Sequence, residues 1–274
     1  MGKIRDGNFE FQHIFATSYS DVFETSANQP LLVLGINMNN GVSGEFVLKP
    51  TGAQRMYPGA SMKELIASLI ALELELSTPE PVNITVEDEF IKSCLGKTFY
   101  LTLQRSKGIN FGTEYLNGVN STWSNAFANQ NLLIREMQKV FIFDVLIENT
   151  DRTPQKPNLL TNGKDCIHII DHEVAFSFTD LVGYSNETPW ILGENETTFF
   201  RKHLFYDFLK SKEFYSDLLF DKMLNLDEQF WEKVKLLIPH EWLDEYKFDR
   251  IKKYIDSRVE KNYYFKNEVK RLLI

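Results

Sequence analysis

Cysteine is scarce in this chain: Cys94 and Cys166 are the only two among 274 residues. Two thiols in unrelated contexts supply neither a disulfide framework nor zinc-ribbon spacing, which excludes a stapled secreted domain and fits a reducing compartment. Long hydrophobic runs are also missing, and no stretch approaches the ~18 consecutive apolar residues of a membrane span. The opening MGKIRDGNFE has no apolar segment behind its charges, so it does not read as a signal peptide. Asp6 stands where a myristoylation motif needs Ser or Thr. Positive charge is not in excess: 30 Lys and Arg against 38 Asp and Glu leave a net charge of −8. Such a chain has no general attraction for phosphate backbones or anionic lipid, so neither a nucleic-acid partner nor a membrane is expected. Internal repeats and low-complexity tracts are absent. These absences together predict a cytoplasmic globular protein.

What is present is an apolar, aromatic-rich chain. Hydrophobic residues make up 43%, including 22 Phe and 11 Tyr. A chain of this length buries roughly three quarters of the surface its unfolded form exposes, enough to fold without metal or disulfide.

The first half reads mainly as strands. Residues 11–26 are weakly patterned and hold a first strand. LLVLGI at 31–36 and FVLK at 46–49 flank the turn-forming NMNNGVSGE, which predicts a β-hairpin. SMKELIASLIALELEL at 61–76 reads as a helix, with Leu65, Leu69, Leu72 and Leu76 at helical spacing and Ser61 with Glu64 as a capping box. Pro79 and Pro81 stop it. Residues 83–90 and the alternating TFYLTLQ at 98–104 are expected as further strands.

The second half reads as helical. LLIREMQKVFIFDVLIE at 132–148 predicts a long buried helix, followed by a loop over 149–162 and a short strand CIHII at 166–170. Residues 199–219, 226–238 and 250–273 predict three amphipathic helices. The fold class expected is α+β with two lobes: a β-rich lobe over 1–105 with one main helix, and a mostly helical lobe over 106–274.

The order of these parts suits phosphoryl transfer. That chemistry needs a loop over phosphates, a lysine on their oxygens, a carboxylate orienting the lysine, an aspartate at the acceptor hydroxyl, and hard oxygen ligands for magnesium. The strand ending in Lys49 follows the loop 39–44, and Glu64 lies early in the next helix. IENTDRTPQKPNLL at 147–160 and IIDHE at 169–173 carry Asp151, Asn158 and Asp171.

These segments resemble the HipA-like kinase family, distant relatives of protein and phosphoinositide kinases. The family pairs an Asn-x-Asp-Arg loop and a following Asn-Leu-Leu with an Ile-Asp-His segment. FVLKP at 46–50, KELIASLIALELELSTPEP at 63–81, GINFGT at 108–113 and LIPHEWL at 237–243 are similar to further family elements. The resemblance spans residues 31–260 and implies an ATP- and Mg²⁺-dependent kinase with a protein-kinase-like fold. It implies that Asp151 accepts or orients the acceptor hydroxyl, that Asn158 and Asp171 hold the metal, and that Lys49 with Glu64 binds the α/β-phosphates. Asn40, Gly41, Ser43 and Gly44 are expected to contact phosphate. The implied acceptor is a Ser or Thr hydroxyl of a protein, the chain itself included, and toxin kinases of this type add a protein partner. A nucleotide-binding pseudokinase, or a kinase acting on a lipid or small metabolite, is the alternative.

The sequence departs from the pattern in three places. Asp151 and Asn158 are seven residues apart where a protein-kinase catalytic loop has five, so the segment with Pro154 and Pro157 must bulge outward. Lys63 precedes Glu64 where the family has Asn. Asp171 is followed by His172 and Glu173, so no protein-kinase activation switch is implied. Plainer roles compete as well. Asp151 could pair with Arg152, Glu64 could serve only the capping box, and Cys166, His168 and His172 share one strand face that would suit zinc.

Overall fold

Five stretches rich in β-branched and aromatic residues extend as β1 (Gln12–Val22), β2 (Leu31–Asn37), β3 (Ser43–Lys49), β4 (Pro81–Val86) and β5 (Gly108–Glu114). They close into a barrel in the order β1-β2-β3-β5-β4, with β1 and β4 parallel and the other pairs antiparallel. Closure removes the free edges of the sheet. The computed structural model describes residues 4–6, 9–23, 28–119, 123, 131–162 and 166–274. Ile14, Leu31, Val33, Phe46, Leu48, Val82 and Ile84 fill the barrel. Gly112, opposite Leu48, stays bare of necessity, because a β-carbon there would stand 2.3 Å from Ile84 Cδ1.

The remaining chain is α1 (Pro58–Glu73), α2 (Asp88–Ser93), α3 (Tyr100–Gln104), α4 (Asn131–Leu146), a two-stranded hairpin of β6 (Leu159–Thr161) and β7 (Ile167–Ile169), and α5 to α10. Those last helices span Glu194–Phe200, Tyr206–Leu209, Asp217–Met223, Glu228–Leu237, Glu245–Glu260 and Asn262–Leu273. The architecture is mixed α+β. A second apolar cluster joins α1 and α4 to the C-terminal helices, through Leu65, Leu69, Phe141, Phe143, Trp231 and Phe265 among others.

Several expectations need correction. The first helix begins at Pro58, not Ser61, because proline's fixed φ and missing N–H suit the first helical position. Ser61 and Glu64 therefore lie inside the helix, and no side chain caps its start. The alternating 98–104 segment forms α3 rather than a strand. Phe99 and Leu103, four residues apart, are buried against the barrel core while Leu101 is exposed. Since β5 is needed to close the barrel, the boundary expected at 105/106 falls inside the part that holds the sheet. The single helix expected over 199–219 is three short ones, broken at 201–205 and again at 210–216. The helix expected over 250–273 starts earlier, at an Asp244 cap, and is interrupted at Lys261.

Candidate active site

The helix α1 is apolar on nearly every side and is buried along most of its length, so a carboxylate on it must find a cation. Glu64 finds Lys49. The Lys49 Nζ lies 2.9 Å from Glu64 Oε1 and 2.9 Å from Asp171 Oδ1, bridging the end of β3, α1 and the segment after β7. The Phe111 ring lies below it, 5.8 Å from centroid to Nζ. Burial works to lower the Lys49 pKa, but Asp171 and Glu64 outweigh it and raise it well above the ordinary lysine range. Burial raises Glu64 despite Lys49, whereas Lys49 overcomes the burial of Asp171 and holds it below the usual aspartate range. Glu64 Oε1 also accepts the His172 backbone N–H at 3.0 Å, and its other oxygen is buried without a partner. The carboxylate thus serves the lysine and not a helix cap.

Asn158 meets the same place through the β6–β7 hairpin. Leu159 pairs with Ile169, and Ile170 N donates to Asn158 O at 3.2 Å, so Asn158 and Asp171 flank the open end of the hairpin. Both have left-handed backbones, φ +46° for Asn158 and +62° for Asp171. Two non-glycine residues in that region store about 1–3 kcal/mol each, a feature of sites where geometry is held for function. The Asn158 Nδ2 is buried with no hydrogen-bond partner.

Asp151 sits at the head of the loop between α4 and β6. Its partner is Lys156, whose Nζ is 3.2 Å from Oδ2, and not Arg152. Thr153 and Lys156 exchange backbone hydrogen bonds of 2.9 and 3.0 Å, which turns Pro154 and Gln155 outward into solvent. This is the bulge that the seven-residue spacing requires.

Arg152 is fully buried and has a different task. Its Nε and Nη2 donate to Asp144 at 2.6 and 3.2 Å, and its Nη1 donates to the carbonyl of Asn158 and more weakly to those of Pro157 and Ile170. Asp144 also takes Asn149 Nδ2 and His203 Nε2, each at 2.9 Å. Burial would raise the Asp144 pKa, but Arg152 and His203 drive it far below the ordinary range. The break after α5 that puts His203 here also lets Leu204 N donate to Arg152 O at 2.9 Å. Sequence reasoning overlooked Asp144 and His203. A lone Asp in the apolar run FIFDVL was the available signal, since a carboxylate at such a position must be paired.

The expected phosphate loop is misplaced. Asn40 and Gly41 form the β2–β3 turn, and Ser43 and Gly44 begin β3 opposite Ile36 and Gly35. The Gly41 N–H is taken by Asn37 O at 2.7 Å and the Val42 N–H by Asn40 Oδ1 at 2.9 Å. Lys49 lies at the other end of the hairpin, five residues and roughly 17 Å of strand beyond Gly44. The pairing of Leu31 with Leu48 instead brings the β1–β2 connection beside Lys49. Residues 24–27 of that connection lie outside the described residues. Its buried Asn28 donates through Nδ2 to Glu173 and accepts the Arg55 N–H at 3.1 Å. Burial first, and then the Asp171 charge, push the Glu173 carboxyl up to about 7.

His172 is buried against Phe143, ring centroids 5.5 Å apart, with neither ring nitrogen hydrogen-bonded. Burial lowers its pKa to about 3, so it is a neutral packing group. It does not join Cys166 and His168, and no group of three metal-ligating side chains occurs among the described residues. No helix is long and apolar enough to cross a membrane among them.

No curated protein matches the chain. Among solved structures, the proinflammatory kinase CtkA of Helicobacter pylori is similar at 13% identity with a TM-score of 0.46, covering 93% of this chain and 99% of that one. The family model for HipA-like kinases matches residues 44–264, which takes in Lys49, Glu64, the Asp151 loop and Asp171. With that match over most of its length, the chain belongs to the HipA-like kinases.

Proposed function

We propose that this kinase transfers the γ-phosphate of ATP to a Ser or Thr hydroxyl of a protein, in a two-lobed arrangement whose cleft runs between the barrel and the helical part. The observation that carries the reading is the Lys49 ammonium held 2.9 Å from both Glu64 and Asp171. Three distant sequence segments are brought there to one cation, beside the Asn158 turn.

The residues fit a magnesium ion on two counts. Asn158 carries an amide oxygen at the open end of the hairpin, and Asp171 is ionised and partly exposed beside it. Asn158 and Asp171 are hard oxygen donors of the kind magnesium takes. Magnesium, when bound, supplies charge neutralisation at the phosphate oxygens.

The side chains have separate work. Lys49, oriented by Glu64, places a fixed positive charge against phosphate oxygens, where a preorganised cation lowers the barrier most. Asp151 lies ready to receive the proton of the acceptor hydroxyl. Lys156, 3.2 Å from Asp151, adds positive charge beside the transferring group.

The test separates binding from chemistry. In a thermal-shift titration, ATP with Mg²⁺ at a hundred times its dissociation constant adds about 2.7 kcal/mol of stability. Asp151→Asn is expected to keep that shift and to lose phosphate transfer by at least ~100-fold. Transfer at the wild-type rate by Asp151→Asn refutes the assignment. A wild-type protein that binds ATP but transfers nothing to protein substrates favours the pseudokinase.

A further inference from the structure

Strand β7 begins beside a thiol that phosphoryl transfer does not use. Cys166 and His168 are two residues apart, so their side chains share a face. Cys166 Sγ lies 3.2 Å from His168 Nε2, His168 Nδ1 lies 2.8 Å from Ser77 Oγ, and Ser77 Oγ lies 3.7 Å from Sγ. Three polar groups from two distant segments close into a ring. Cys166 and His168 are part-exposed, whereas Cys94 is fully buried in the barrel core.

We propose that Cys166 is a reactive thiol, activated by His168 and Ser77, which takes up low-molecular-weight disulfides as a modification site. With Nδ1–H donating to Ser77 Oγ, the Nε2 lone pair faces the thiol and accepts its proton. The thiolate formed then has two donors around it, Nε2–H and the Ser77 hydroxyl. A thiolate with adjacent donors and solvent access is the reactive form of cysteine. It attacks one sulfur of a disulfide RSSR. The bond from Sγ to that sulfur forms as the S–S bond breaks, and RS⁻ leaves and takes the proton from the imidazolium as RSH. Cys166 is oxidised to the mixed disulfide, and the disulfide is the oxidant.

The site lies where α1's exit is stitched to the metal-ligand hairpin. Ser77 O accepts the Ile169 N–H at 2.9 Å, and Thr78 Oγ1 donates to Ile169 O at 2.9 Å. Asp171 follows two residues later. An adduct on Sγ must displace Ser77, which loosens both stitches and shifts β7 against the helix that carries Glu64. Nucleotide affinity falls as a consequence.

The full chain, under native conditions, is treated with glutathione disulfide, and each cysteine's modification is followed by peptide mass spectrometry. A free peptide containing Cys-Ile-His serves as reference. Cys166 is expected to react at least ~10-fold faster than the peptide thiol, with Cys94 unreacted, and His168→Gln to bring Cys166 down to the peptide rate. Ser77→Ala, which keeps the imidazole, is expected to slow the reaction by a smaller factor and decides the matter if His168→Gln does not fold. A Cys166 rate equal to that of the peptide, or unchanged in both variants, overturns the proposal. Fully modified protein is expected to show a smaller thermal shift with ATP and Mg²⁺, and an unchanged shift overturns the link to the nucleotide site. If the unmodified protein shows no such shift, the kinase reading fails while the labelling rates still decide the thiol.

Discussion

Replacing Arg152 by Met tests the framework beneath the candidate site. Arg152 and Asp144 have no exposed side-chain surface, and their ion pair is the centre of a network with Asn149 and His203. Removing one partner of a fully buried pair strands the other charge and costs about 3–5 kcal/mol. The carbonyl of Asn158 also loses its charged donor, which adds roughly 1–2 kcal/mol. A total of about 4–7 kcal/mol compares with a stability of roughly 5–15 kcal/mol for a whole domain. Arg152→Met should therefore show a much lower urea midpoint, or fail to fold at all. The double variant with Asp144→Leu removes both charges and should recover at least ~2 kcal/mol over the sum of the single losses. It should not recover phosphate transfer, because Arg152 also holds the carbonyls of Asn158 and Ile170, which fix the backbone beside the Asn158 and Asp171 side chains. Urea denaturation of the four proteins measures the first claim and a transfer assay the second. Additive single effects, or an Arg152→Met loss below ~1 kcal/mol, would refute the reasoning.

Other perturbations follow from the same geometry. His172 titrates near 6.5 when unfolded and at about 3 when folded, so the unfolded chain binds the extra proton between those values and His172 lowers stability as pH falls through that window. At pH 5 this amounts to about 2 kcal/mol. His172→Gln should remove it from the difference between pH 7 and pH 5 stabilities, with Glu173, which shifts the opposite way, common to both proteins. Asp180 accepts Lys63 at 2.7 Å and Lys247 at 2.5 Å, and Lys63 is the buried partner. Asp180→Ala should thus destabilise more than Lys63→Met by chemical denaturation, since only the first leaves a buried ammonium with no carboxylate. Gly41→Ala, at φ +75° with nothing near the added methyl, should cost about 1 kcal/mol and leave nucleotide affinity unchanged in a titration. A large affinity loss there would restore the β2–β3 turn to the phosphate site.

Local chemistry was legible in the residues themselves. Pro79 and Pro81 bar a helix from running through them, because the ring removes a donor and blocks the preceding turn, and α1 has already ended at Glu73. The apolar runs at 31–36 and 46–49 form strands, the first leaving Leu34 and Ile36 exposed, and the Asn-Gly at 40–41 turns. Asp151, Asn158 and Asp171 were singled out by the resemblance of IENTDRTPQKPNLL and IIDHE to a family pattern, and the structure sets Asn158 and Asp171 at one end of a hairpin. The outward bulge at Pro154 followed from counting residues.

What the linear order did not contain was which ends meet. Lys49 closes the second strand of a hairpin, so its neighbour is whatever precedes the first strand, and only the pairing of Leu31 with Leu48 says so. Glu64 was expected beside Lys49, with a capping role as its rival, and the helix start at Pro58 removed the rival. Asp144 and His203 are 59 positions apart and become one network because a buried carboxylate must gather donors from wherever the chain can bring them. Periodicity reports which face of an element is buried. The identity of the group waiting on the other side is decided when the barrel closes and the helices pack against it.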